Sequence, residues 1–529
     1  MRNDVLLGAR FLYRLPGFLR RPIRFEQAER ILQHRLQHRE AAFLALARRA
    51  IYEQPASVYR RMLGLAGCEY GDLERLVNLD GIEGALRLLC RRGVYLTVDE
   101  FKGRTAIVRG GTVIPVAAEA FWNPLSTPHA FLHTGGSQGA STPVPLDLEF
   151  IREGAVNFRL ALHARGGSAW RHAMWWAPGG TALHRLLTLR AIGVSPDCWF
   201  SPVDLASAQL HGRYRWSVQA VRWGSRALGV SIPRCEHVPL SDPLPIARWM
   251  ADVLRAGAIP GLSAATSAAV RLAVAAHQAG IDLSGAKITT SGEPVTAARL
   301  KAIQAAGVQA FQGYGSMETG PIAWGCLRPE APDDSHVHHD LHALIQPETD
   351  VTGPRLPSRT LLLSSLRLSA PVILLNVSLG DEALVGERRC GCPMERPGWT
   401  THVHSIRSFE KLTAASVNLL DADVIRVLED VLPARFGGGP THYQLVEEEH
   451  PGGEPRLRLL VHPDVGAVDS GAVAKAFLAA IGPGSGPERI AALLWGDGGL
   501  LEVERRPPVD TQSGKILHVH SRRVPGAAR

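Results

Sequence analysis

The sequence predicts an α/β protein in two unequal parts, and three observations carry that expectation. Between about residues 185 and 325, helical and strand patterns alternate. A glycine-rich turn within 131–146 sits between an apolar lead-in and a helical stretch. Beyond about residue 408, glycine- and proline-rich breaks at 437–440, 451–455 and 482–487 divide the chain into short segments. The alternation argues for a mostly parallel sheet covered by helices, and such sheets gather function at the ends of their strands. The tail reads as a small α+β domain.

Composition supports this division. At 529 residues the chain exceeds what one core usually supports, while 45% hydrophobic and 20% charged residues are ordinary for a globular protein,. The net charge of 58 − 50 = +8 is mild, and the arginines are scattered. No basic–aromatic stripe speaks for nucleic acid, whereas an anionic substrate or a membrane surface stays open. Seven cysteines show no disulfide framework, which fits a reducing cytoplasm,. No apolar run reaches the length of a membrane span. Arg10 and Arg14 interrupt any signal-peptide core,. The N-terminal stretch reads as a helix docked on the body, with an amphipathic helix on a membrane surface as the alternative.

Taken in order, residues 1–55 form a helical extension. Ala42, Phe43, Leu46, Ala47, Ala50 and Ile51 recur at three-and-four spacing, predicting helix over 25–65,. Residues 94–101 and 105–116 read as strands. The turn that follows has Gly135, Gly136 and Gly139 to aim consecutive N–H groups at one anion, and hydroxyls from Thr134, Ser137, Ser141 and Thr142,. That chemistry suits a polyphosphate, although glycine-rich turns are mostly only turns, and no lysine follows as it does in P-loop NTPases. Helical spacing returns at 151–164, the context a phosphate site needs. Segments 271–280 and 295–307 read as helices, 286–291 and 308–315 as strands, and SGEP (291–294) and GYGSMETG (313–320) close those strands. In the tail, 457–463 and 500–508 read as strands around a helix at 473–481.

Five marks stand in one order: HTGGSQGAST, SGEP, GYGSMETG, SLGDEALV and DTQSGKIL. In these the sequence resembles the adenylate-forming superfamily of acyl-CoA synthetases, peptide-synthetase adenylation domains and luciferases. It looks nearest to the phenylacetate–CoA ligase branch, and the resemblance spans about residues 55–522. It implies a large N-terminal adenylate-forming domain over 1–407 and a small mobile lid over 408–529. It also implies a two-step reaction. A small-molecule carboxylic acid attacks ATP to give an acyl-adenylate and pyrophosphate, and CoA then displaces AMP. Transfer to a carrier protein, amine or hydroxyl is the alternative, and a non-catalytic binding protein of the same fold a third reading. Oligomeric state stays open, a homodimer among the options.

The resemblance also assigns residues. Thr134, Gly135, Gly136, Ser137, Gln138 and Gly139 would wrap the ATP phosphates, with Gln138 standing where a hydroxyl residue is usual. Gly292, Glu293 and Pro294 would pack along adenine, Tyr314 would stack on it, and Gly315 and Ser316 follow. Glu318 would hold Mg²⁺ on the phosphates. Asp381 and Arg407 would lie near the ribose, although LLNVS ahead of Asp381 lacks the arginine and tyrosine seen in relatives. The hinge falls at Glu410 or Lys411, where the usual Ser-Asp-Asp is replaced. Lys515 would place a cation on the α-phosphate as charge builds there, with Gly514 letting its loop enter tightly. Cys326, His336, Cys390 and Cys392 match a structural Zn²⁺ site of some relatives, with His338 and His339 as competing fourth ligands and free cysteines as the plain alternative. Tryptophans 170, 175, 176, 199, 216 and 223 would wall an acyl pocket or simply fill the core. His133 could face the substrate carboxylate.

Overall fold

The computed structural model describes residues 2–126, 128–133, 143–204, 233–348, 352–408, 421–449, 455–481, 501–511 and 514–522. The expected phosphate loop 134–139, both hinge candidates, Glu410 and Lys411, and Trp216 and Trp223 lie outside these residues.

Helices come first: Arg2–Leu19, Phe25–Gln37 and Arg39–Leu46. Phe11, Leu15, Phe18 and Leu19 are buried, so the second half of the first helix packs on the body of the protein. Among the described residues no helix is long and apolar enough to cross a membrane. The helix expected over 25–65 is broken. His38, with φ −114°, leaves helical geometry, and Ser57 starts a new helix, Val58–Leu65, by accepting from the Arg60 N–H,. The strand expected at 94–101 is corrected too. Thr97 accepts from the Glu100 N–H while the Glu100 carboxylate accepts from the Thr97 N–H. This capping box turns Val98–Phe101 into a helical turn,.

Two hairpins follow, β1 (Ile107–Arg109) with β2 (Thr112–Ile114), and β3 (Ala130–His133) with β4 (Pro143–Leu146). The main sheet then begins. Strands β5 (Arg171–Trp175), β6 (Cys198–Ser201), β7 (Cys235–His237), β8 (Pro260–Ala265), β9 (Lys287–Ser291) and β10 (Gln309–Ser316) pair in parallel in the order β7-β6-β5-β8-β9-β10. Helices Leu148–Ala164, Gly180–Ala191, Leu244–Arg255, Thr266–Gln278 and Ala297–Gln304 accompany this half. Apolar, β-branched and aromatic runs buried on both faces, such as Leu262, Ile288 and Phe311, are what such strands require,.

The other half of the sheet is antiparallel. Strands β11 (Gly320–Gly325), β12 (Ser335–Val337), β13 (His342–Ile345), β14 (Thr360–Ser365), β15 (Val377–Glu387) and β16 (Thr401–Ser408) continue it in the order β11-β12-β16-β15-β14-β13. The switch has a local cause. Only Met317, Glu318 and Thr319 separate β10 from β11, too few for the crossover that parallel pairing needs.

Residues 421–522 carry their own sheet: β17 (Tyr443–Glu449), β18 (Pro455–Val461), β19 (Leu501–Arg505) and β20 (Val519–Arg522), in the order β19-β18-β17-β20. Helices Asp421–Arg426 and Ser470–Ile481 cover it. Leu428, Tyr443, Leu459, Phe477 and Val519 form a core separate from those of the main sheet.

Candidate active site and metal centre

Parallel register aligns the carboxyl ends of β8, β9 and β10. Ser291 stands beside Ala265 on one side and Gly313 on the other, so SGEP and GYGS end next to each other. Gly292 turns the chain there with φ +81°, a conformation a side chain resists. The space is also taken, since a Cβ on Gly292 would lie 2.6 Å from the Lys515 Nζ. The small C-terminal part therefore delivers Lys515 directly onto the end of β9.

The loop bearing Lys515 is fixed at both ends. Thr511 accepts from the Lys515 N–H through Oγ1 at 3.0 Å and donates its own N–H to the Lys515 carbonyl at 2.8 Å. Gly514, φ +79°, passes so close to Pro202 and Leu240 that a Cβ would meet them at 3.1 and 3.4 Å, which is the tight entry its glycine predicts. Ile516 then donates its N–H to the Ser267 Oγ at 3.1 Å.

Glu293 anchors that contact. Its buried carboxylate accepts from the Ser267 N–H at 2.7 Å and from the Ser267 hydroxyl at 2.9 Å. It therefore caps the start of the helix Thr266–Gln278, and only the backbone of 292–294 is left to meet a ligand. Nearby, Arg299, Glu429 and His518 close a buried cluster across the two parts of the chain. Arg299 donates to Glu429 at 2.6 Å and His518 lies 2.5 Å from the same carboxylate. The Thr296 hydroxyl donates to its other oxygen. Burial alone would raise the Glu429 carboxyl, but the neighbouring His518 and Arg299 side chains outweigh it and hold it down to about 2. At the rim, Arg271 pairs with Asp510 at 3.3 Å.

On the other side of the site the Tyr314 hydroxyl donates to Asp381 at 2.9 Å. Burial, then the Asp381 charge, push that phenol well above its ordinary value, so it stays a donor. Glu318 is half-buried in the turn after β10. Ser316 and Thr319 tie that turn together, each accepting from the other's N–H at 3.1–3.2 Å. Arg407 lies across from Glu382 on β16 and donates to the buried Asp333 at 3.3 Å, which also accepts from the Ser405 and Ile406 N–H groups. Gly292, Tyr314, Asp381 and Lys515 are thus brought together, with Arg407 beside them on the neighbouring strand. Ser267, Arg299, Asp333, Glu429 and His518 escaped the sequence reading. Only the unusual acidic pair Asp333–Asp334, ahead of a histidine run, marked any of them.

Three of the cysteines and one histidine lie together. Antiparallel register carries Cys326, at the end of β11, toward His336 on β12, and the turn after β15 brings Cys390 and Cys392. Their ligand atoms lie within 4.8 Å of one another. Cys392 is 3.2 Å from the His336 Nε2, Cys390 is 3.7 Å from it, and Cys326 is 3.9 Å from Cys392. In a tetrahedral zinc–thiolate site such edges run about 3.5–3.8 Å. The His336 Nδ1 donates to the Trp399 carbonyl at 2.6 Å, which leaves Nε2 as the nitrogen that faces the sulfurs,. The donor set therefore fits a metal. Between the competitors the geometry selects His336, because among the described residues its ring nitrogen is the one that lies with the three sulfurs. The hydrogen bond between Cys326 and Cys392 is the main reason the first thiol is pushed up and the second down.

Tryptophans 170, 175, 176 and 199 are core residues. The indole N–H of Trp175 reaches the Val238 carbonyl, that of Trp176 the Ser263 hydroxyl and that of Trp199 the Trp176 carbonyl.

No protein-family model and no curated protein matches the sequence. Solved structures do share its fold. The crystal structure of 2-hydroxyisobutyryl-CoA ligase in the postadenylation state with 2-HIB-AMP is 14% identical. The match covers 92% of this chain and 89% of that one, with a TM-score of 0.52. The same ligase with R3-HIB-AMP matches over the same shares at 14% identity and a TM-score of 0.51. This chain has the fold of those adenylate-forming CoA ligases.

Proposed function

We propose that this protein is an AMP-forming acid–thiol ligase: it activates a carboxylic acid with ATP as the acyl-adenylate, releasing pyrophosphate, and passes the acyl group to CoA. The observation that carries this reading is the Lys515 ammonium against Gly292 at the ends of the parallel strands. Charge accumulates on the α-phosphate and carboxylate oxygens as the acid attacks, and a fixed point cation there lowers the barrier. Tyr314 offers a ring for the base and orients Asp381, whose carboxylate accepts hydrogen bonds from the ribose. The Asp333 pairing aims Arg407 at the same end of the site. Glu318 would hold Mg²⁺, which would neutralise phosphate charge. The 2-hydroxyisobutyryl-CoA ligase structures contain an acyl-AMP, the species this reading requires.

Cys326, His336, Cys390 and Cys392 would hold a structural zinc. Four protein ligands leave no open position, so the metal would tie the turn after β15 to β11 and β12 and take no part in the reaction. The reducing cytoplasm we infer for the chain keeps those thiols available. The second half of the N-terminal helix contributes packing through the buried Phe11, Leu15, Phe18 and Leu19.

The test is acid-dependent ATP–pyrophosphate exchange over a panel of aromatic and fatty acids. Exchange with one class identifies the substrate, and CoA-dependent AMP release then separates transfer to CoA from transfer to a carrier protein or amine. No exchange with any acid, together with no ATP binding, would turn the reading to a non-catalytic protein of this fold.

A further inference from the structure

Around Trp324 the structure collects donors and, among the described residues, no carboxylate to receive them. Trp324 lies on β11, opposite Gly313 of β10, and its ring fills the space a side chain at Gly313 would need, with a Cβ there only 2.5 Å away. Arg165, at the end of the helix Leu148–Ala164, places its guanidinium 5.7 Å from the Trp324 ring and 4.6 Å from Phe311. Arg185, from the helix Gly180–Ala191, lies 5.5 Å from the same Trp324 ring and 5.8 Å from Phe158. Two cations thus share one indole.

Neither has a carboxylate. Among the described residues Arg185 makes no hydrogen bond or ion pair, and Arg165 makes one hydrogen bond, to the Gly325 carbonyl at 3.1 Å. Its Nε is buried without a partner, and so is the indole N–H of Trp324, a residue only 4% exposed. Like charges held together in a poorly solvated place cost free energy unless an anion joins them. Burial, then the neighbouring Arg185, push Arg165 down to about 9, and burial pushes Arg185 down to about 10. The cysteine centre accounts for part of this charge, since Arg165 is within electrostatic reach of Cys326 and Cys392. It leaves Arg185 and the indole donor unexplained.

We propose that Arg165, Arg185 and the Trp324 indole N–H form a binding site for the oxyanion, carboxylate or phosphate, of a small organic ligand. The planar guanidinium groups supply paired N–H donors matched to such an anion, and the aromatic faces orient them. Gly313 adjoins Tyr314 and pairs with Ser291, so the site lies close to the carboxyl end of β9. An acid substrate with a second carboxylate has the reach to occupy both places. That source of the anion rests on the ligase reading; the binding site itself does not.

Calorimetric titration of the full chain with inorganic phosphate, succinate and adipate, at constant ionic strength, tests the site. The expected result is saturable binding to the native protein, weakened at least about tenfold in Arg185→Gln and reduced in Trp324→Phe, with Arg185→Lys retaining part of it. Zinc content stays unchanged and the melting temperature does not fall in Arg185→Gln, because Arg185 makes no hydrogen bond or ion pair among the described residues. No saturable binding to the native protein, or equal binding to Arg185→Gln, overturns the proposal. Pyrophosphate exchange then identifies the source. If Arg185→Gln raises KM for a dicarboxylate and leaves that of the matching monocarboxylate alone, the anion is the far end of the substrate. If KM is unmoved for every acid while anion binding is lost, the site serves a separate anion. Lost anion binding in a protein that exchanges with no acid supports the site and removes the ligase reading.

Discussion

The junction at Gly292 and the cysteine centre at Cys326 are built on opposite principles. The cysteine centre draws its four donors from residues 326–392 of the main sheet, held by antiparallel register between neighbouring strands. The junction joins Ser267, Gly292 and Arg299 of the large part to Glu429, Lys515 and His518 of the small part. Side-chain ion pairs, one backbone hydrogen bond and a close glycine contact hold it. Separating the two parts would break the junction without disturbing a strand, whereas Cys326 and His336 stay together as long as β11 pairs with β12. The contrast teaches that the Lys515 position depends on a few charge-assisted contacts, while the sheet fixes two of the four metal ligands and a turn brings the other two.

The largest expected effect comes from removing the cation that the junction delivers. Lys515→Ala should lower ATP–pyrophosphate exchange about 10²–10³-fold with the melting temperature unchanged. Undiminished exchange would separate the junction from catalysis altogether. Next, Glu429→Gln leaves Arg299 buried without its partner and should weaken the docked state by about 3 kcal/mol. Amide exchange at 514–518 should quicken, while β17 and β18 stay protected. If those two strands lose protection equally, the cluster stabilises the small part itself rather than its docking.

On the other side of the comparison, Cys392→Ser should abolish the one zinc per chain expected by elemental analysis and lower global stability by about 3 kcal/mol. Protection at 514–518 relative to β11 should not change. Native protein prepared without chelator and found free of zinc would remove the metal from this account. Acid gives the smallest effect. A free glutamate titrates near about 4.3, and Glu429 is held down to about 2. The stability it contributes is therefore fully present above about pH 4.3 and is lost as pH falls toward 2. The stability gap between the native protein and Glu429→Gln should narrow as pH falls from about 4.3 toward about 2. A gap that widens in acid would show that the carboxyl is not paired as described.

What the sequence determined alone is what depends on neighbours in the chain. Periodicity placed the alternating helices and strands of 266–316, and glycine marked Gly292 and Gly514, where φ is positive and no side chain fits. Residue order let Tyr314, Asp381 and Lys515 be singled out through a resemblance. Where local chemistry was misread, the cause was also local, as in the Thr97–Glu100 capping box that made a helix of an apparent strand. Tertiary structure decided the rest. It chose His336 over His338 and His339 because, among the described residues, only its ring nitrogen lies with the three sulfurs. It turned Glu293 into a helix cap, and it paired Arg299 with Glu429, 130 residues away. Periodicity records which face of an element is buried but not which distant residue will meet it there. A buried charge or an unprotonated imidazole has no meaning until the chain closes around its partner.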